Sequence, residues 1–271
     1  MSDPTDAAAA RERWARSPRG PLALVTAQRV DQPQQVWPVP GQWAPAVGGL
    51  TVTATADDGV VVDGIPVDGT VLVAGDDAVV ASSLSFPDGM VGTVAASAGS
   101  HTLRVWDAAS DAIARFARID RFPSSDASVT TGNYVPVGGQ EAPGHVLDAA
   151  GDPLEVAGTV TTSVDGVVVE LVAVRSAPFE GAARLQLIVQ DGTSVLPETD
   201  PDSSYSMGRF LFIDDPGAEA DVELDWNRLV LPPCAFSYQF ACPIPPVSNR
   251  MSVPIRAGER HPIDVDGAVF H

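Results

Sequence analysis

The chain has 271 residues and a formal net charge of −19, and all 16 of its basic residues are arginines because it contains no lysine. An acidic excess of this size repels phosphate backbones and anionic lipid surfaces, so neither nucleic acid nor a membrane is expected as a partner. The lack of lysine also excludes a Schiff-base mechanism and a phosphate-binding loop of the Walker type.

The first residues lack the basic and apolar regions of a secretory signal, and no stretch is apolar enough to span a membrane. A cytoplasmic location is therefore expected. Residues 4–16 are expected to form a short helix, with Pro4 in its first turn and Ser17-Pro18 ending it. Residues 18–49 are rich in proline and glycine, and we expect them to be irregular and to pack on the body of the protein.

From residue 50 onwards, short apolar segments that alternate with Asp-Gly turns predict a β meander, which includes Ala78–Val80 as a strand. Ser110 is expected to cap one short internal helix. The pair Asp165-Gly166 predicts a tight hairpin. The predicted fold class is all-β, mainly antiparallel, in sandwich or barrel-like lobes, with one short N-terminal helix and one short internal helix.

The predicted division of the chain has three parts. Residues 1–49 hold the helix and the irregular segment, 50–125 form a first β lobe, and 126–271 form a second, with one continuous domain as the alternative. Seven aspartates and no basic residue lie between Asp57 and Asp88. Because their spacing is not that of a calcium-binding loop, we expect a solvated face rather than a cation site.

The last quarter of the chain has an unusual density of dissimilar polar residues. Its candidate residues are Tyr205, Arg209, Asp225, Asn227, Arg228, Cys234, Cys242, Asn249 and Glu259. Asp225 and Asn227 are two apart on an expected strand, so they should share a face. Prolines at positions 232, 233, 243, 245 and 246 restrict the backbone on both sides of the cysteines, which lets an irregular loop hold its side chains in place.

Several short motifs follow one another in this region with a distinctive order and spacing. They are Gly208-Arg-Phe-Leu, Leu224-Asp-Trp-Asn-Arg, Leu231-Pro-Pro-Cys-Ala-Phe, Ala241-Cys-Pro-Ile-Pro-Pro-Val-Ser-Asn-Arg and Ala257-Gly-Glu. In these motifs the chain resembles the bacterial family called "domain of unknown function 1684", and the more weakly similar segment from Leu103 to Asp107 extends the likeness to most of the chain. It departs from the family at residues 229–231, which read Leu-Val-Leu where the family has Ala-Tyr-Asn. The resemblance implies where a site lies and implies no activity.

Two functions of different class fit these residues. The first is an enzyme or binding protein with a C-terminal polar pocket for a small anionic or polar molecule. In it, the catalytic candidates are Asp225, Glu259 and Cys234, and the binding candidates are Arg209, Asn227, Arg228, Asn249 and Tyr205.

The second function is that of a structural or protein-interaction protein. There the same residues form a buried stabilising network, and function lies on an exposed face. A concave pocket lined by these side chains would favour the first function, and burial in pairwise contacts the second. Whether the chain is an enzyme and its oligomeric state stay open, and no cofactor is predicted.

Individual candidates also have alternatives. In the cytoplasm Cys234 and Cys242 are expected as thiols, either packed and inert or reactive. A metal site made of both cysteines and His261 is less favoured by their spacing. Asp225 is expected to pair with Arg209 or Arg228. Glu259 is expected to form a salt bridge to an arginine, with a general-base role as the alternative. The asparagines are expected to satisfy backbone groups of the proline-rich loops.

Overall fold

The computed structural model describes residues 4–97, 99–137, 146–148, 151 and 153–270. The chain is all-β with mainly antiparallel sheets and two α-helices, as predicted. It divides into two compact units. Unit 1 is Met1–Phe116 with Phe236–Phe240, and unit 2 is Ala117–Ala235 with Ala241–His271. The division after residue 116 lies nine residues before the boundary expected from the sequence, and residues 18–49 are an integral part of unit 1.

The described residues of unit 1 form two α-helices and ten strands. They are α1 (Pro4–Ala15), β1 (Leu24–Arg29), β2 (Gln34–Val36), β3 (Val39–Ala46), β4 (Gly49–Ala54), β5 (Val61–Val62), β6 (Ile65–Pro66), β7 (Gly69–Ala74), β8 (Leu84–Ser85), β9 (Val91–Ser97), β10 (Ser100–Trp106) and α2 (Asp111–Arg115). One sheet has the order β1-β10-β9-β8-β5-β6 and the other β2-β3-β4-β7. Their buried residues, Trp43 and Leu50 among them, form one apolar core.

Both helices lie where the sequence predicted them. The Ser110 side chain accepts a hydrogen bond from the backbone N–H of Ile113 and so caps α2. Trp14 holds α1 in unit 1, because its ring packs edge-on against Phe236 at a centroid distance of 5.7 Å. No helix within the described ranges has both the length and the apolar character needed to cross a membrane.

Two predictions about unit 1 are wrong. Residues 18–49 are not irregular, since β1, β2 and β3 lie there. Prolines and glycines interrupt the alternation of apolar and polar residues in β3, so its sequence does not look like a strand. Trp43 of this strand is fully buried. Conversely, Ala78–Val80 is not a strand. Val79 and Val80 are exposed, so this apolar run has no core to face and gains nothing from pairing.

In unit 2, ten strands lie within the described ranges. They are β11 (Phe116–Arg121), β12 (Val129–Pro136), β13 (Val146–Leu147), β14 (Pro153–Leu154), β15 (Val156–Val164), β16 (Val167–Phe179), β17 (Ala182–Val189), β18 (Arg209–Asp214), β19 (Ala220–Asp225) and β20 (Glu259–Asp264). The main sheet has the order β18-β17-β16-β15-β12-β19, and two small sheets pair β11 with β20 and β13 with β14. Asp165 and Gly166 both have positive φ and form the predicted hairpin turn between β15 and β16.

The main sheet of unit 2 has to curl around its core. β18 and β19 are its two edges, yet Val230, only five residues after the end of β19, bridges to Phe210 on β18. Five residues reach about 17 Å at most, whereas six flat strands are roughly 24 Å across. The curled sheet encloses a cluster that includes Leu171, Leu187 and Trp226. Arg209 lies at the start of β18, beside this core.

Candidate functional site

Arg209 is completely buried and bonded on both terminal nitrogens. Its Nη2 donates to the carboxylate of Asp191 at 2.7 Å and to the carbonyl oxygen of Ile255 at 2.8 Å. Its Nη1 donates to the carbonyl oxygens of Ala257 and Glu259. Neither Arg209 nor Asp191 exposes any side-chain surface. The guanidinium therefore holds residues 255–259, which lead into β20, against the start of β18.

Asp191 completes this interaction. Besides pairing with Arg209, its Oδ1 accepts hydrogen bonds from the backbone N–H and hydroxyl of Thr193, at 2.9 and 2.7 Å, and from the N–H of Ile255, at 3.0 Å. The expectation that Arg209 pairs with Asp225 is wrong. Asp191 was missed because it lies outside the motifs of the last quarter, and Asp191-Gly192 looks in sequence like an ordinary turn.

Glu259 is also completely buried. Its Oε1 pairs with Nη2 of Arg121 at 2.8 Å, and its Oε2 accepts a hydrogen bond from the backbone N–H of Leu231 at 2.7 Å. The predicted salt bridge to an arginine is confirmed, with β11 supplying the arginine. The carboxylate thereby links β11, β20 and the segment that carries Leu231.

Asp225 and Asn227 meet, although not on a strand. β19 ends at Asp225, and residues Trp226–Arg228 form a 3₁₀ turn, so the expectation of a strand through Asn227 is wrong. The strand ends because Trp226 turns into the core, where it is 2% exposed. Oδ1 of Asp225 accepts from the backbone and side-chain amides of Asn227, at 3.1 and 2.9 Å. Asn227 also bonds both backbone groups of Ser125.

Cys234 and Cys242 form a disulfide, which corrects the expectation of two thiols. Their Cα atoms are 6.0 Å apart, within the range that a disulfide bridges, and the N–H of Cys234 donates to the Sγ of Cys242. The expectation rested on compartment and left out the loop between the prolines, which folds back on itself. A sulfur in a disulfide is neither a nucleophile nor a metal ligand, so the catalytic role of Cys234 and the site with His261 are both overturned.

His261 has a different partner, Ser203. Its Nε2 lies 3.0 Å from the hydroxyl of Ser203, and both residues are buried. Burial lowers the pKa of His261, and the charge of Arg260 lowers it further. The Ser203 hydroxyl is also 3.2 Å from the carbonyl oxygen of Glu198, to which it can donate. No motif in the sequence joins this serine to this histidine, which is 58 residues away.

Asn249 is completely buried and takes the place of a strand residue. Its side-chain amide bonds both the N–H and the carbonyl of Val172, at 2.7 and 2.9 Å, while its own carbonyl accepts from the N–H of Gln190. Asn249 satisfies backbone groups as expected, but they belong to β16 and not to a proline-rich loop. Tyr205 is 8% exposed, and its backbone N–H donates to the carbonyl of Arg260.

Arg228 is the binding candidate that reaches the surface. The guanidinium of Arg184 lies nearby over two aromatic rings, 4.3 Å from the centroid of Phe212 and 5.1 Å from that of Phe179. Burial lowers the pKa of Arg184, and the positive charge of Arg228 lowers it further. The candidates therefore separate into a buried group around Arg209 and Glu259 and a surface group around Asp225 and Arg228.

Replacing Asp191 with alanine leaves the charge of Arg209 buried and unpaired. We expect the free energy of unfolding to fall by about 3–5 kcal/mol, measured by chemical denaturation. The matched control is Asp202→Ala, which removes a pair with Arg256 that is half-exposed, and it should cost less than about 1 kcal/mol. Equal losses in the two variants would contradict the structural importance of the buried pair.

His261 makes stability depend on pH. Because its pKa is lower in the folded chain than the ordinary value of about 6.5, the unfolded chain takes up a proton first as pH falls. The stabilisation is complete above about pH 6.5 and is lost as pH falls below that value towards the folded-state pKa. Unfolding free energies at intervals between about pH 7.5 and 5.5 should decline in the native protein and decline less in His261→Gln. Parallel curves for the two proteins would refute this role.

The chain was also compared with protein families, curated proteins and solved structures. A solved solution NMR structure of an uncharacterized protein from Haloarcula marismortui is 27% identical, covers 54% of this chain and 77% of its own, and superimposes with a TM-score of 0.42. No curated protein matches the chain. The family model described as "Protein of unknown function (DUF1684)" matches residues 114–260, which include Arg121, Asp191, Arg209 and Glu259. The chain belongs to this family of proteins of unknown function.

Proposed function

We propose that this protein is a non-enzymatic interaction protein whose function lies on an exposed face. Its C-terminal polar block, which consists of Asp191, Arg209, Asn249 and Glu259, is an internal stabilising network. The burial of Arg209 carries the proposal. A guanidinium that clamps a ligand has to present N–H groups to it, whereas both Nη atoms of Arg209 are bonded to Asp191 and to backbone carbonyls.

Other members of the block support the same function. Both carboxylate oxygens of Glu259 are bonded, to Arg121 and Leu231, and the side-chain amide of Asn249 is bonded to Val172. A general base has to come within hydrogen-bond distance of a substrate proton, which a fully buried carboxylate with two internal partners does not do.

The cellular location of the protein determines which partner proteins it can meet. A cytoplasmic location stays a prediction, and the Cys234–Cys242 disulfide weighs against it, because disulfides persist mainly in oxidising compartments. A partner met in such a compartment would be an extracytoplasmic protein.

A second candidate function rests on the surface group. Besides burial, the positive charge of Arg228 lowers the pKa of Arg184 and the carboxylate of Asp214 raises it, so two guanidinium groups and one carboxylate interact on a protein of net charge −19. Two guanidinium groups provide fork-shaped donors that suit a carboxylate or a phosphate. Binding of a small anion there would agree with the pocket hypothesis at a different position from Arg209.

Thermal unfolding in the presence of inorganic phosphate or citrate separates the two functions. An interaction protein without a small-anion site should keep its unfolding midpoint within roughly 1 °C of the salt-matched value at about 10 mM anion. A rise of several degrees that disappears in Arg228→Ala, but persists in the control Arg256→Ala, would overturn the proposal in favour of the anion site.

A further inference from the structure

β16 is longer than its neighbour on one side. It pairs with β15 along Val167–Val174, but with β17 only from Ala173 onwards. At Val172 the place of β17 is taken by the side chain of Asn249. Residues 167–171 therefore have a strand on one side only.

The direction of the free backbone groups follows from the alternation of an antiparallel ladder. The N–H and carbonyl of Val172 point away from β15, since both bond to Asn249. Every second residue points the same way, so the backbone groups of Val168 and Glu170 also point away from β15. In the part of the chain that the structure describes, nothing hydrogen-bonds to them on that side.

These groups face an open groove of about 390 Å³. Residues 167–170 of β16 form one wall, and residues 248 and 250–253 form the other. Met251 and Val253 belong to the core cluster and Val169 packs against it, so the inner part of both walls is apolar. Val168 adds an apolar side chain that is 72% exposed.

The walls of the groove also carry opposite charges. Arg250 lies on one wall, where its Nε donates to the carbonyl of Pro245 at 3.0 Å and fixes the side chain. Glu170 lies on the other wall. A complementary occupant presents a carboxylate to Arg250 and a cation to Glu170.

The two walls of the groove determine whether a single extended peptide or the edge of another sheet can bind there. Strands in a sheet lie about 4.8 Å apart, so a sheet that docks by its edge needs open space beyond the first added strand. Residues 250–253 line the groove together with β16 and so limit the space for a second added strand. The β16 strand of a second copy would bring its own β15 into this wall, whereas a single extended peptide has no such second strand.

We propose that the free edge of β16 at Val168 and Glu170 is a docking site for one extended segment of a partner protein. The segment adds a strand to the sheet. Its β-branched side chains cover Val169, Met251 and Val253, and its charged side chains meet Arg250 and Glu170. This proposal rests on the proposed function, since it identifies the face through which an interaction protein would act.

The test uses the full chain and a synthetic nine-residue peptide, acetylated and amidated, in which valine alternates with threonine and one Asp and one Lys replace two threonines. Binding is followed by calorimetry or by NMR shifts. Val168→Pro removes one outward N–H at an edge position that tolerates proline and should weaken binding roughly tenfold or more. Val168→Thr keeps this N–H and is the matched control, with affinity close to that of the native protein.

Two altered peptides keep the test independent of whether the proline variant folds. A peptide N-methylated on the amides of one edge cannot form the ladder and should not bind. A peptide with threonine in place of Asp and Lys should bind roughly threefold more weakly. Equal binding of the native and N-methylated peptides, or equal affinities of Val168→Pro and Val168→Thr, overturns the proposal.

Two further outcomes also overturn it. One is no binding of the peptide by the folded native protein, and the other is a concentration-dependent dimer in sedimentation that Val168→Pro abolishes, which would mean that a second copy fills the edge. If the peptide fails to bind while phosphate and citrate leave the unfolding midpoint unchanged, the docking site falls and the proposed interaction function stands. If these anions raise the unfolding midpoint of the native protein but not that of Arg228→Ala, the proposed interaction function is contradicted instead.

Discussion

The burial of one positive charge organises the C-terminal half of this protein. Taking a guanidinium out of water costs several kcal/mol unless its charge and its hydrogen bonds are matched inside the protein. The two Nη atoms of Arg209 are matched by Asp191 and by the backbone carbonyls of Ile255, Ala257 and Glu259. Among the described residues its buried Nε has no hydrogen-bond partner. Residues 255–258 form no strand, and β20 begins at Glu259. The N–H groups of Arg209 therefore fix the path of this segment by hydrogen bonds that a neighbouring strand would otherwise provide.

Two other residues of the block also hydrogen-bond backbone groups that have no strand partner. Proline-rich segments lack the N–H groups that build sheets, so their remaining backbone groups need side-chain partners. Asn249 presents its amide to Val172 in the manner of a strand, and Glu259 accepts the N–H of Leu231 just before two prolines. The resulting arrangement separates β16 from the end of β17 and leaves the edge at Val168 open.

Local features of the fold could be predicted from the sequence, because local physics determines them. The Ser110 cap depends on residues within one turn, and the Asp165-Gly166 hairpin depends on two backbone conformations. The salt bridge of Glu259 to an arginine was also expected from the sequence. The sequence could not give the identity of that arginine, Arg121, because it lies 138 residues away and only the folded sheet brings the two together.

The errors have the same origin. Asp191, the partner of Arg209, is separated from it by 18 residues and belongs to no motif. The disulfide was missed because the thiol prediction was taken from the expected compartment, whereas the path of the chain between Cys234 and Cys242 decides whether they meet. Trp226 ended β19 by turning inward, a tertiary preference that an alternating pattern does not contain.

Native-state hydrogen exchange tests most directly whether the polar block is a rigid part of the fold. The amides of Leu231 and Ile255 donate to the buried carboxylates of Glu259 and Asp191. If the block is a stabilising network, these amides exchange only through global unfolding, with the same free energy of opening as the central amides of β17. Exchange through local opening at a much lower free energy would contradict this account, since it would mean that the block opens separately, as ligand-binding loops do.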